Sequence, residues 1–75
     1  MTLTIHYSTF IAATIHTIDG DSFEYNFYKC MTLSDATEWA LGAMEYDAIS
    51  IPSKMIDSII FYDAKTGEVL LECNK

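Results

Sequence analysis

Hydrophobic and polar positions alternate along the first third of the chain. "TLTIHY" sets Leu3, Ile5 and Tyr7 against Thr2, Thr4 and His6, the period of two expected of a half-buried strand. "FIAATIHTI" and "SFEYNFYKC" extend this reading on either side of Asp19-Gly20-Asp21, a strong hairpin signal. Side-chain parity then chooses the turn. A two-residue Asp19-Gly20 loop pairs position 16 with 23 and 14 with 25, sending Ile11 and Ile15 to the face of Glu24 and Asn26. A three-residue Ile18-Asp19-Gly20 loop, with Gly20 left-handed as a bulge, pairs 15 with 23 and 13 with 25. Ile11, Ala13 and Ile15 then share a face with Phe23, Tyr25 and Phe27. Only this register gives one apolar and one polar face, so the bulged turn is predicted.

The period changes at "TLSDATEWALGAMEYD", Thr32 to Asp47. Thr32 is the predicted N-cap, with Asp35 three positions on forming an Asp variant of the capping box and suiting the positive end of the helix dipole. Ala36, Trp39, Ala40, Ala43 and Met44 make the stripe that packs on a sheet, and Asp35, Glu38, Gly42 and Glu45 line the opposite side. The helix is expected to fray near Tyr46–Ala48, and Pro52 bars continuation past Ile51.

Strand character returns in "KMIDSIIFYD". Its run Ile59-Ile60-Phe61-Tyr62 is apolar on both faces, which predicts a central strand or an additional interface. "AKTG" forms the connection, with positive φ at Gly67, and "EVLLEC" is the return strand. The order is β-β-β-α-β-β, or β-β-α-β-β if the first two segments are one bent strand. The expected fold is α+β, a four- or five-stranded antiparallel sheet with one helix on one face, in a single compact domain over residues 1–75. One helix leaves a sheet face over, to which Tyr28, Ile60, Tyr62 and Leu70 are assigned. Tyrosine suits such a face because its ring is apolar and its hydroxyl tolerates water, so a homodimer through this face or an edge strand is predicted.

Composition narrows the function classes. Seventy-five residues with 51% apolar content, five Tyr, four Phe and one Trp give a rich supply for so small a core. No run of 18 apolar residues exists, which argues against a membrane span, and "MTLTIHYSTF" lacks the basic region of a signal peptide. The expected location is cytoplasmic. Eleven acids stand against four lysines with no arginine, a net charge of −7. Residues 19–47 hold seven carboxylates against Lys29 alone, a net of −6, and the rest of the chain contributes −1. Direct binding of nucleic acid or of anionic membrane needs the opposite sign, so neither is expected. Cys30 and Cys73 end predicted strands and are read as reduced thiols.

Catalytic chemistry finds little footing. A zinc site needs closely spaced ligand pairs, and the spacings of His6, His16, Cys30 and Cys73 supply none, so no metal or cofactor is expected. Ser8 is near His6 and His16 in sequence but lacks nucleophile-elbow glycines, and Asp19 with Asp21 sits in a turn where solvated acids are the norm. No glycine-rich phosphate loop is present. The protein is expected not to be an enzyme. Tyr25 and Phe27 have the strand placement of RNA-stacking aromatics, but Glu24 and Asn26 are their neighbours, and core packing is the reading.

The acidic side of the helix remains. Asp35, Glu38 and Glu45 form a row of negative charge with Asp47 at its end, and Asp19, Asp21 and Glu24 precede it. Such a patch suits a positively charged groove and is steered toward it. In size, acidity, lack of arginine and one helix on a short sheet, the chain resembles small proteins of phages and mobile elements, several anti-CRISPR inhibitors among them. That resemblance implies a non-enzymatic DNA mimic whose partner is a protein with a basic nucleic-acid-binding surface, a CRISPR effector complex above all. Asp19, Asp21, Glu24, Asp35, Glu38, Glu45 and Asp47 are the candidate contacts read from charge. The alternative is a small structural or oligomerisation module using Tyr28, Ile60 and Tyr62, with the charge serving solubility.

Overall fold

The computed structural model describes residues 8–75, so the strand expected over "TLTIHY", including His6, lies outside the described residues. Two strands, β1 (Ser8–Thr17) and β2 (Ser22–Thr32), run directly into helix α1 (Leu33–Glu45). A short 3₁₀ turn (Ser53–Met55) precedes β3 (Ile56–Asp63), and β4 (Val69–Asn74) ends the chain. All pairings are antiparallel, in the spatial order β2-β1-β3-β4. The helix packs on one face of this four-stranded sheet, as the apolar periods predict.

The first hairpin has the register that parity selects. Ile15 faces Phe23 and Ala13 faces Tyr25. Gly20 adopts φ +92°, Gly20 N–H donates to the Thr17 carbonyl at 3.1 Å, and Thr17 N–H donates to the Asp21 carbonyl at 2.9 Å. The left-handed residue absorbs the odd loop length and keeps Ile11, Ala13 and Ile15 on one side with Phe23 and Tyr25.

Farther along, β2 departs from a plain ladder. Ala12 faces Asn26 and Phe10 faces Cys30, leaving Phe27, Tyr28 and Lys29 opposite Ile11. Asn26 drives this bulge by a local turn: its Oδ1 accepts the Tyr28 N–H at 3.0 Å while Tyr28 takes φ +54°. Two extra residues preserve parity, so Met31 returns to the core face. A second irregularity lies in β4. Phe61 faces Leu71 and Tyr62 faces Val69, so Leu70 is extra and packs against the helix-side core rather than the opposite face assigned to it from sequence.

The core lies between sheet and helix. Ile11, Ala13, Ile15, Ile56, Ile59 and Phe61 from the sheet are fully buried against Ala36, Ala40 and Ala43 of the helix. The sheet supplies the bulk and the helix supplies small side chains, which lets the two backbones approach closely. Trp39 closes the β2 side, its ring 5.0 Å from both Tyr25 and Phe27 and 6.1 Å from Phe61. β3 is central, which accounts for its uninterrupted apolar run.

Thr32 is both the last residue of β2 and the N-cap of α1. Asp35 N–H donates to Thr32 Oγ1 at 3.1 Å and Thr32 N–H donates to Asp35 Oδ2 at 3.2 Å, the reciprocal box expected from sequence. At the other end the chain turns back rather than fraying. Tyr46 and Ala48 both donate to the Gly42 carbonyl, at 3.0 and 3.1 Å, and Asp47 adopts φ +54°. Ala48 consequently packs over Gly42, where a Cβ would meet the Ala48 methyl at 3.3 Å, so Gly42 is half-buried and not part of the outer acidic side.

Candidate interaction surfaces

The seven carboxylates singled out by charge do not gather on one surface. Four of them have structural partners. Asp19 Oδ1 accepts from the Thr17 hydroxyl at 2.5 Å and from Asp21 N–H at 3.5 Å, holding the hairpin turn, and the Thr17 bond keeps this carboxyl below its usual range. Asp35 belongs to the capping box. Asp47 Oδ1 accepts the Ser53 N–H at 2.7 Å, which ties the helix exit to the 3₁₀ turn and lowers its pKa, with Lys75 and Lys54 adding to the effect. Glu24 stands on the sheet face away from the helix. The remaining three, Asp21, Glu38 and Glu45, are exposed and make no side-chain hydrogen bond to a described residue. Glu38 and Glu45 flank Leu41, itself 52% exposed, on the outer side of the helix.

No described helix or strand covers the helix-free sheet face, though Lys65 Nζ lies 5.8 Å from the centre of the Phe10 ring at its flank. Register places Phe10, Ala12, Thr14 and His16 of β1 on it, beside Ser22, Glu24 and Asn26 of β2 and Ser58, Ile60 and Tyr62 of β3. At its centre Glu24, Thr14 and Tyr62 link three strands. The Tyr62 hydroxyl donates to Glu24 Oε1 at 2.6 Å and the Thr14 hydroxyl donates to Oε2 at 2.8 Å. Both bonds favour the ionised carboxylate: the Tyr62 hydroxyl first, then Thr14, with His16 adding a smaller electrostatic effect, hold Glu24 below the usual range. The same bond pushes the Tyr62 hydroxyl up, because its proton now sits against a negative charge. The ring of Tyr62 is thereby fixed across the sheet, next to half-buried Ile60 and buried Ala12.

Of the residues proposed for self-association, Ile60 and Tyr62 are together on this face. Tyr28 is not beside them: it protrudes from the β2 bulge, 81% exposed. Thr14 is the partner that sequence reading left out. The bulged-turn register already sets Thr14 opposite Glu24, but its adjacency to β3 depends on the strand order.

Apolar exposure collects elsewhere too. Phe23 is 44% and Tyr25 37% exposed on the helix side of β2. Phe23 joins Ile51, Pro52 and Met55 in lining a shallow cleft rimmed by Asp19 and Asp21. At the opposite end of β2, Asp63 organises the β3–β4 turn. It is buried, accepts the Lys65 and Thr66 N–H groups at 2.8 and 3.2 Å and the Thr9 hydroxyl at 3.2 Å, and is held below the usual carboxylate range chiefly by the Lys65 bond. Gly67 supplies the positive φ of +80° that this turn needs.

Among the described residues no three His, Cys, Asp or Glu side chains come together as metal ligands. Cys30 and Cys73 are free and stand on the two edge strands, level with Phe10 and Ile15 of β1 respectively, so three strand spacings and a five-residue offset hold them roughly 20 Å apart. Burial pushes the Cys73 thiol up, which makes it a poor nucleophile. Among the described residues no helix is long and apolar enough to cross a membrane. No family model, no curated protein and no solved structure matches the chain.

Proposed function

We propose that this protein is a small non-catalytic association module whose helix-free sheet face joins two copies. The observation that carries the reading is Tyr62, a large amphipathic side chain half-exposed at the middle of that face and locked there by Glu24 and Thr14. An anchor already fixed in one rotamer loses little entropy on association, and a tyrosine ring tolerates both the apolar and the wet parts of an interface. Ile60 beside it and Phe10 at the flank, 43% exposed, extend the apolar area. Sedimentation or light scattering tests the reading. Wild type is expected to be dimeric at high micromolar concentration, and Tyr62→Lys monomeric with an unchanged circular dichroism spectrum. Glu38→Lys with Glu45→Lys should remain dimeric. A wild-type chain that stays monomeric throughout removes this reading.

A second reading rests on Glu38 and Glu45, the two helix carboxylates with no structural task, set around exposed Leu41. It is the acidic inhibitor of a basic nucleic-acid-binding protein such as a CRISPR effector complex, with Leu41 as an apolar anchor inside a charged rim. Competition with DNA for a purified effector, weakened by salt and abolished by the double charge reversal, is its expected signature.

A further inference from the structure

The outer edge of β2 offers a second contact, which shares only the Glu24 side chain with the helix-free face. β2 is an edge strand, and no described residue pairs with its outer side. Native sheets blunt such edges with bulges, prolines, lysines or short length. β4 is protected in this way, being six residues long and irregular at Leu70. On β2 the bulge and Lys29 protect only the second half. Residues Ser22–Asn26 pair regularly with β1, contain no proline or lysine, and are all exposed.

Hydrogen-bond alternation fixes which groups face outward. Thr17 and Asp21 bond each other at the turn, so Ile15–Phe23 and Ala13–Tyr25 are the next bonded pairs. The N–H and C=O groups of Ser22, Glu24 and Asn26 therefore point away from β1, giving three donors and three acceptors for an incoming strand.

The two sides of this edge differ in chemistry. Phe23 and Tyr25 present apolar surface on the helix side, with Tyr25 backed by Trp39 at 5.0 Å, and the cleft of Ile51, Pro52 and Met55 continues from Phe23. Glu24 presents a carboxylate on the other side, oriented by Thr14 and Tyr62. We infer that this edge accepts an extended segment of a partner protein in which apolar residues alternate with lysine or arginine. Main-chain bonds to Ser22, Glu24 and Asn26 hold it, apolar side chains lie over Phe23 and Tyr25, and cations meet Glu24. Asp19 and Asp21 at the cleft rim and a chain charge of −7 favour the same partner. A second copy of β2 fits less well, since antiparallel self-pairing brings two Glu24 carboxylates to one face within one or two residues of each other, with no cation between them.

Three synthetic peptides of equal length test this inference by titration, followed by Trp39 fluorescence and amide hydrogen exchange. One alternates valine with lysine, one alternates valine with glutamate, and one is the lysine peptide N-methylated at alternate residues. The lysine peptide is expected to bind and to slow exchange at Ser22, Glu24 and Asn26, which exchange fast in the free protein while Phe23 and Tyr25 are protected. The other two peptides are expected to bind about tenfold more weakly or worse. Glu24→Gln keeps both hydroxyl partners and should weaken the lysine peptide while narrowing its advantage over the glutamate peptide. Equal binding of the N-methylated peptide, binding without protection of the three amides, protection of them by self-association alone, or no binding at all would each overturn the inference. Because Tyr62→Lys dimer disruption is read separately, failure here leaves the association reading standing, and the converse also holds.

Discussion

Glu24 illustrates how far a single residue's role depends on its neighbours. From charge alone it belongs to an acidic patch. In the fold it accepts two hydroxyl hydrogen bonds across three strands, which gives it a definite pH signature. Its folded pKa is lowered, so its contribution to stability is present above the ordinary glutamate range and lost as pH falls through the lower folded value. Tyr62 is the reverse case: with its pKa raised, its contribution is present below the ordinary tyrosine value and lost as pH rises through the raised one. The bridge therefore supports the fold across neutral pH and fades at both ends. Tyr62→Phe should cost about 0.5–1 kcal/mol near neutrality, less than a buried charged hydrogen bond because solvent screens the exposed Glu24. Urea titrations of both proteins should converge as pH falls below the ordinary glutamate range and again as it rises above the ordinary tyrosine value. A pH-independent difference would mean that Tyr62 acts by packing alone. Gly20 makes a purely conformational demand: at φ +92° with no atom near its absent Cβ, Gly20→Ala should cost about 1 kcal/mol from backbone strain alone. Gly20→Asn should cost less, which thermal unfolding resolves.

Elements were legible where one chemical rule decides them. Parity of Ile11, Ala13 and Ile15 against Phe23, Tyr25 and Phe27 sets the hairpin register, and Thr32 with Asp35 marks the helix start. Elements were not legible where a local turn competes with a ladder. Nothing in the alternation of "SFEYNFYKC" announces that the Asn26 side chain captures the Tyr28 amide and inserts two residues. Leu70 and Gly42 moved from their expected faces for comparable reasons, an extra strand residue and a chain folding back after the helix. The acidic helix side was legible as a pattern. Among the charged residues the task of Asp35 was legible, but those of Asp47 and Glu24 were not, because Ser53 and Tyr62 are 6 and 38 residues away in sequence. The capping box allows a direct test. α1 has only 13 residues and would be marginal alone, so it depends on its cap and its packing. Thr32→Ala should cost about 1 kcal/mol, a fall of about 4–8 °C in Tm for a chain of this size. Asp35→Ala removes the other half of the box, the bond from the residue-32 backbone N–H that Thr32→Ala leaves in place, so it should cost nearly as much in the Thr32→Ala background as in wild type.

At the scale of the whole molecule, charge acts in opposite directions on the two kinds of assembly considered. A chain of −7 repels itself, so bringing two copies together opposes electrostatics and must be driven by surface such as Ile60 and Tyr62. Salt shortens the screening length from about 30 Å at 0.01 M to about 8 Å at 0.15 M and relieves that repulsion. Self-association should therefore strengthen as sodium chloride rises over this range, whereas binding to any basic partner, strand or groove, should weaken. The fold itself should follow the first trend. Glu45 occupies the last turn of α1, which contains no basic residue, and a negative charge there opposes the helix dipole. Replacing Glu38 and Glu45 by lysine adds two charges at each site, taking the chain from −7 to −3, and should raise Tm at low salt. Differential scanning calorimetry at low and moderate salt measures this directly. A stabilised double variant that has lost a basic partner would show that these two acids are kept for contact at the expense of stability. A double variant that is stabilised and keeps every interaction would leave them as solubilising charge, and the sheet face and β2 edge as the working surfaces.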